Sequence, residues 1–394
     1  MSDYLHKIVE KLPVEKFIED YYPFSEEELF YLARHNYCLD RISGNQKIKW
    51  DMRLIKKLEK AICWDNLSFN QSINWAEVAP AYAHRIYWEG ACNNPNFVWQ
   101  HDYFEKYGDQ IDWDWICHYK LPFSIDFLFK YRENLAWWRL SYNKYIPWGE
   151  EILEYFAHRW DWYSLSSNAA IPFTDELIKK FGDRWIYSCM SMNEQLVSDE
   201  KLPWLQSFTE IDYECLSWTK KDFTLAFLEE HEKLFDWNYL TTNEYLPWSL
   251  QLIERFKDRW QFAQLAENPK IPWTLNFIEQ HEDLWNWGGD KPGIFVGSGG
   301  ISSNEGIPWT FDFIDRYFKR LSWGRLTPDY EVENCYFVKY GISSNTGINW
   351  TVEKMARYAN CFCIDLMYKN SNYYRAIENE VGKNNVFNLY LSLV

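Results

Sequence analysis

The chain has 394 residues, 47% apolar and 20% aromatic, and carries 57 acidic against 41 basic side chains for a net charge of −16. No apolar run reaches the roughly 18 residues of a membrane helix, and the start MSDYLHKIVEKLP lacks the basic-then-apolar pattern of a secretory leader, so a cytoplasmic protein with no membrane contact is expected. Residues 61–290 hold 36 acidic and 19 basic side chains while both flanks are near neutral, a sign opposed to direct phosphate contact and hence to nucleic acid as a partner.

Residues 1–46 are expected to form an N-terminal helical cap and a first degenerate repeat. A repeat array then runs over 47–193, and its second part over 194–287 after an irregular break. The marker is the aromatic residue at the Pro-Trp/Phe position of the unit, preceded by proline in eight of the copies. Thirteen copies begin at Phe24, Trp50, Trp75, Trp99, Phe123, Trp148, Phe173, Trp204, Phe223, Trp248, Trp273, Trp309 and Trp350. Most gaps are 24 to 26 residues. They become 31 and then 19 around Trp204, and 36 and 41 at the end.

Each position has a physical role. The Ser or Thr after the marker (Ser25, Ser124, Thr174, Ser249, Thr274, Thr310, Thr351) is placed to cap a helix. Apolar residues then recur at helical spacing, as in Leu275, Phe277, Ile278, His281 and Trp285, which predicts one helix of about three turns. His231 and His281 fill an aromatic slot and are expected to be packed rings rather than catalytic bases. A Trp-x-Trp pair follows, and then a short LSxN element such as Leu165 to Asn168. Its Asn is expected either to end a short helix in a left-handed conformation or to hold the next turn by an Asx bond.

One such unit cannot bury its aromatic face alone, whereas stacked units can. The expected fold class is therefore all-α: a right-handed or superhelical α-solenoid of about 25-residue repeats. Neighbouring helices roughly 10 Å apart would give a path on the order of 100 Å. Each buried ring contributes roughly 4–6 kcal/mol as an upper bound. Trp148, Trp160, Trp248, Trp260, Trp273, Trp285 and Trp309 are assigned to the core.

The breaks in the array are where binding loops are expected. The first holds NEQLVSDEK, from Asn193 to Lys201. Residues 288–364 carry repeats with two inserts, GGDKPGIFVGSGG (Gly288 to Gly300) and GRLTPDYEVENCYFVKYG (Gly324 to Gly341), and 365–394 form a C-terminal cap. Both inserts fall between Trp and ISSN, and GIFVG and EVENCYFVKYG are candidate hairpin strands that could pair with each other. The predicted partner-binding residues are Trp287, Asp290, Lys291, Phe295, Tyr330, Glu331, Glu333 and Tyr336. GSGG lacks the phosphate-loop pattern.

No nucleophile elbow, zinc-protease motif or dinucleotide fingerprint is present. The nine cysteines are scattered without a Cys-x-x-Cys pair. No cofactor, metal or catalytic residue is assigned. The unit, carried by Ile146 to Asn168, resembles a family of Trp-rich tandem repeats of bacteria and large DNA viruses, over about Pro23 to Ile364. The resemblance implies a helical repeat and no assigned chemistry.

The leading expectation is a noncatalytic scaffold that binds a macromolecule, a protein of basic character, along its acidic array. A second reading is an immunity or defence protein neutralising a basic toxin or nuclease. A third is an enzyme or ligand-binding module with its site in the 288–347 inserts, or one using exposed Trp to stack sugars or bases.

Overall fold

Helix starts follow the Ser and Thr residues of the repeat. The structure is a computed structural model that describes residues 2–288, 299–328, 336–368 and 370–394. In it Ser25, Ser124, Thr174, Ser249, Thr274, Thr310 and Thr351 each accept a backbone N–H at the head of a helix, and Ser25 with Glu28 completes a capping box. Thr224 does the same. Trp204 departs from the pattern. Leu205 follows it in place of Ser or Thr, and LPW lies inside the helix Leu202–Gln206 instead of ahead of one.

The first helix of each unit is shorter than the three turns expected. Glu150–Tyr155, Leu250–Arg255 and Leu275–Gln280 have six residues each. They stop at Phe156, Phe256 and His281, and the chain then folds back so that the first Trp of Trp-x-Trp covers the helix end. The indole N–H groups of Trp160, Trp260 and Trp285 donate to the carbonyls of Ile152, Ile253 and Ile278 at 3.2, 3.2 and 3.0 Å. A short helix leaves its last carbonyls without partners, and the indole supplies one. The second Trp opens a second short helix, as in Trp162–Ser167 and Trp237–Thr242, capped by Asp161 and Asp236.

Two rows of hydrogen bonds join successive units. The Asn of LSxN sits in extended conformation, with φ −77° and ψ 110° at Asn168, so the left-handed termination does not occur and the Asx bond does. Asn94 Oδ1 accepts from the Asn96 N–H at 3.0 Å. Its Nδ2 reaches back one unit and donates to the carbonyls of Ser68 (3.1 Å) and Asn70 (3.0 Å). The Asn70 carbonyl also accepts from the marker indole of Trp75 at 2.9 Å. The same ladder is made by Asn70, Asn143 and Asn168.

In the second row the Ser of LSxN accepts a backbone N–H from the next unit. Ser43 accepts from Cys63, Ser68 from Tyr87, Ser141 from Asp161 and Ser166 from Ile186, all at 2.9 to 3.0 Å. Cys92 takes the same place, with the Asp112 N–H on its sulfur. These bonds need buried polar side chains, and they satisfy them.

The chain divides into two compact units, residues 25–222 and residues 1–24 with 223–394. In the first, the row of Asn side chains ends at Asn168: Asn193 keeps its bond from the Gln195 N–H, its Nδ2 has no partner among the described residues, and Lys220 takes the next place. Lys220 is fully buried at the end of the helix Tyr213–Thr219, with its ammonium 2.5 Å from Asp199 and 2.6 Å from Asp222. In the second unit the ladder runs through Asn268, Asn304, Asn345 and Asn370. There the N-terminal helices Asp3–Val9 and Val14–Tyr21 pack on Val352–Tyr358 and Asn372–Val381. Phe17 stacks on Tyr373 at 5.8 Å, and the Tyr390 hydroxyl donates to Glu19 at 3.0 Å.

The inserts leave both rows intact. Ser302 and Ser343 still accept the backbone N–H groups of Ser322 and Cys363, and their hydroxyls donate back to the Trp287 and Trp323 carbonyls across the inserts. The later insert contains an antiparallel ribbon, Arg325–Pro328 with Tyr336–Lys339, in which Arg325 faces Lys339. The pairing is therefore internal to that insert. GIFVG lies outside the described residues.

Between units the second Trp of one copy packs against the first Trp of the next: Trp137 on Trp160 at 4.9 Å and Trp237 on Trp260 at 4.8 Å, both edge to face. Trp148, Trp160, Trp260, Trp273 and Trp285 are buried as expected. Trp248 and Trp309 are half-buried.

Candidate partner-binding surface

Of the residues predicted to bind a partner, Trp287 was expected at an exposed edge and is instead 5% exposed. Its ring stacks on Tyr317 at 4.5 Å under the Arg320 guanidinium, and its N–H donates to the Glu282 carbonyl at 2.9 Å. The cause is the continuity of the repeat through the insert: Trp287 fills the same inter-unit slot as Trp137 and Trp237. Asp290, Lys291, Phe295, Tyr330, Glu331 and Glu333 lie outside the described residues. The backbone of Tyr336 pairs with Pro328.

A different set of rings is exposed. Trp115, Trp138 and Trp218 keep 40%, 51% and 47% of their surface, and Phe69, Tyr142 and Tyr163 are similarly open. All belong to the short second helices or their caps in residues 25–222. Counting from the Trp or Tyr that opens the helix, Trp138 and Tyr163 are one residue on and Trp115 is two. Phe69, Tyr142 and Trp218 are five on. Positions one and five are four apart, and two and five are three apart, so they share one helix face.

Contacts across copies confirm a common surface. Phe69 meets Tyr87 at 6.2 Å, and the Tyr163 hydroxyl lies 4.0 Å from Met192 sulfur. The Arg139 guanidinium lies 4.3 Å from the Trp138 ring centre and 5.7 Å from that of Trp115, a cation–π arrangement. Arg139 is held there by Asp114 at 2.6 Å and by the His118 ring. Burial, aided by the Arg139 charge, pushes His118 below the usual histidine range. At position one the other copies carry exposed carboxylates, Asp65, Glu89, Asp114 and Glu214.

The fold does not require this composition. In the other unit, positions one and five are Asn238 and Thr242 in one copy and Ala263 and Glu267 in the next, on the same scaffold with the same ladder. The exposed rings are thus concentrated on one face of residues 25–222; in the other unit Tyr239, two residues into the helix Trp237–Thr242, is 41% exposed. Sequence reading assigned the W-x-W rings to the core, Trp115 of the pair Trp113 and Trp115 included, and passed over the intervening residue of the other pairs; Trp115 is exposed because Trp113 opens the second helix and Trp115 lies two residues into it. The signal was present as the four-residue spacing of Trp138 and Tyr142.

The histidines and cysteines expected in packing positions are found there. His231 packs on Phe227 at 4.6 Å, and His281 sits between Phe277 and Phe262 with Glu254 3.0 Å from its Nε2. Burial raises the Cys92 thiol to about 11 and the Cys117 thiol to about 12, the opposite of an activated nucleophile. Among the described residues no group of three or more His, Cys, Asp or Glu is placed to hold a metal, and no helix is long and apolar enough to cross a membrane. No family model, curated protein or solved structure matches the chain.

Proposed function

We propose that the protein is a noncatalytic repeat scaffold that binds a basic protein partner across the second helices of residues 25–222. The observation that carries this reading is the exposed set Trp115, Trp138, Tyr142, Tyr163 and Trp218, with Arg139 clamped between two of the rings. Trp, Tyr and Arg are the side chains that dominate interface hot spots. A rigid stacked array fixes them in place, which lowers the entropy lost on binding. The carboxylates Asp65, Glu89 and Glu214, at position one of second helices within the same residues 25–222, set the sign of the partner and would speed its association at low salt.

The test is a pull-down with wild-type protein and with the double variant Trp138→Ala/Tyr142→Ala, washed at low and then high salt. A stoichiometric basic protein retained by the wild type, released by salt and missing from the variant is the expected result. Equal retention by both proteins, or none by either in repeated trials, would reject the surface.

A further inference from the structure

Resting on the protein-partner reading of this face, we infer that its occupant is an extended, proline-rich, basic segment in polyproline II conformation, laid across successive repeats. Three observations carry the inference. The first is the makeup of this face. It consists of short helices, as in Trp137–Tyr142 and Trp162–Ser167, and presents no sheet edge. A partner strand that adds to a sheet edge therefore has nothing to pair with. A polyproline II segment keeps its own backbone solvated and binds through side-chain faces, most often on aromatic rings.

The second observation is spacing. The exposed rings come from consecutive short helices, from Trp115 through Trp138 and Tyr142 to Tyr163. Packed helices lie about 8–10 Å apart. A polyproline II helix repeats every three residues, at about 3.1 Å each, which is about 9 Å per turn. One face of the segment therefore meets one ring set per repeat without strain. Trp138, at 51% the most open of the indoles, is the natural platform for a pyrrolidine ring. Trp115 offers the next one, across Arg139.

The third is charge. Exposed carboxylates stand at position one of the second helices to either side of these rings in the chain, Asp65 and Glu89 before them and Glu214 after, while Arg139 on the face is already neutralised by Asp114. Arg or Lys side chains projecting from the segment between its prolines would find these carboxylates. A neutral or acidic segment would not.

The experiment uses the full chain and fluorescein-labelled peptides read by anisotropy. The probe is four Pro-Pro-Arg triplets. Four Gly-Gly-Arg triplets carry the same charge without the polyproline II preference. The expected result is saturable binding of the proline peptide, at least about tenfold tighter than the glycine peptide. Trp138→Ala should weaken it about tenfold or more, with the variant's melting temperature kept as the check on folding. Added salt should weaken it in both proteins. Equal affinity for the two peptides, or equal affinity of wild type and Trp138→Ala, overturns the inference. Failure of the peptide while a basic protein is still captured through Trp138 and Tyr142 overturns the inference and leaves the partner reading standing. Binding of a β-1,4-linked glucose hexasaccharide at Trp138 with no peptide binding overturns both.

Discussion

The side-chain amide of Asn304 donates to the carbonyl of Asn268, 3.2 Å away and 36 residues earlier in the chain. Asn70 and Asn94 make the same bond at 3.0 Å over 24 residues. The hydrogen-bonded row therefore holds its geometry across the insert of residues 288–299, and the same carbonyl of Asn268 still accepts the Trp273 indole at 2.9 Å. The repeat is defined by this shared acceptor more than by its length.

Replacing Asn94 by Ala is expected to destabilise the unit of residues 25–222. The carbonyls of Ser68 and Asn70 lose a donor, and the Asn96 N–H loses its acceptor. The cost is roughly 2–4 kcal/mol, or about 4–15 °C in melting temperature for a unit of this size. Asn94→Asp keeps the Asn96 bond, yet it turns a carboxylate toward two carbonyls and is expected to be no better. Thermal unfolding followed by circular dichroism reads both. A shift under 1 °C for Asn94→Ala would show that the row is incidental.

Lys220 should couple stability to pH. Burial pushes the Asp222 carboxyl up, but the Asp199 backbone N–H and the Lys220 ammonium outweigh it, and the group lies below the usual aspartate range. A depressed carboxyl contributes stability above its unfolded value, about 3.9, and loses it as the pH falls through its lower folded value. Melting temperature should therefore drop on the acid side of about pH 4. Lys220→Met should flatten that limb, because its charge partner is gone. Lys220→Ala should cost roughly 3 kcal/mol at pH 7. This is the low end for a broken buried pair, since both carboxylates are about half exposed. An unchanged acid limb in Lys220→Met would remove the ion pair from the account.

Two tryptophans should behave oppositely. Trp273 is buried against Trp285 at 5.2 Å and bonded to Asn268, so Trp273→Ala should cost about 3–5 kcal/mol. Trp138 is half exposed, and Trp138→Ala should change stability by less than about 1 kcal/mol. The same contrast should appear in fluorescence. Acrylamide should reach the emission lost in Trp138→Ala and be largely excluded from that lost in Trp273→Ala. Comparable quenching of the two would invert the division between core and surface.

The first insert should be removable. A Cβ added to Gly288 would lie 2.4 Å from the Gly299 carbonyl oxygen, so the two ends of the segment already meet. Replacing residues 289–298 by a short Gly-Ser link should leave the melting temperature within about 2 °C, because loop length carries little free energy. Gly300→Ala should do harm instead. Gly300 has φ +53° and its added Cβ would lie 2.1 Å from the Asn286 carbonyl oxygen. Differential scanning calorimetry of both variants decides it, and the opposite order of stability would show that the insert bears on the core.

Sequence by itself determined the repeat, its all-helical class, the Ser and Thr caps and most of the tryptophan core. These depend on neighbours three to five residues apart, and such contacts are legible as spacing: Thr274 caps its helix because Phe277 follows three residues later. The Asn of LSxN was visible as a turn former, and its Asx bond follows from the same local geometry. Only the tertiary structure decided what its other end does, since the carbonyls bound by Asn94 are 24 and 26 residues away. Only the tertiary structure joined the N-terminal helices to the last ones, through pairs such as Glu19 and Tyr390. It also sorted the rings. Trp287 and Trp138 look alike in a list of aromatic residues, and the spacing of Trp138 to Tyr142 hints at a shared face without saying whether anything covers it. The neighbouring repeat covers the first with Tyr317 and Arg320 and leaves the second half open to solvent, because burial is set by what stacks on a helix and not by the helix alone.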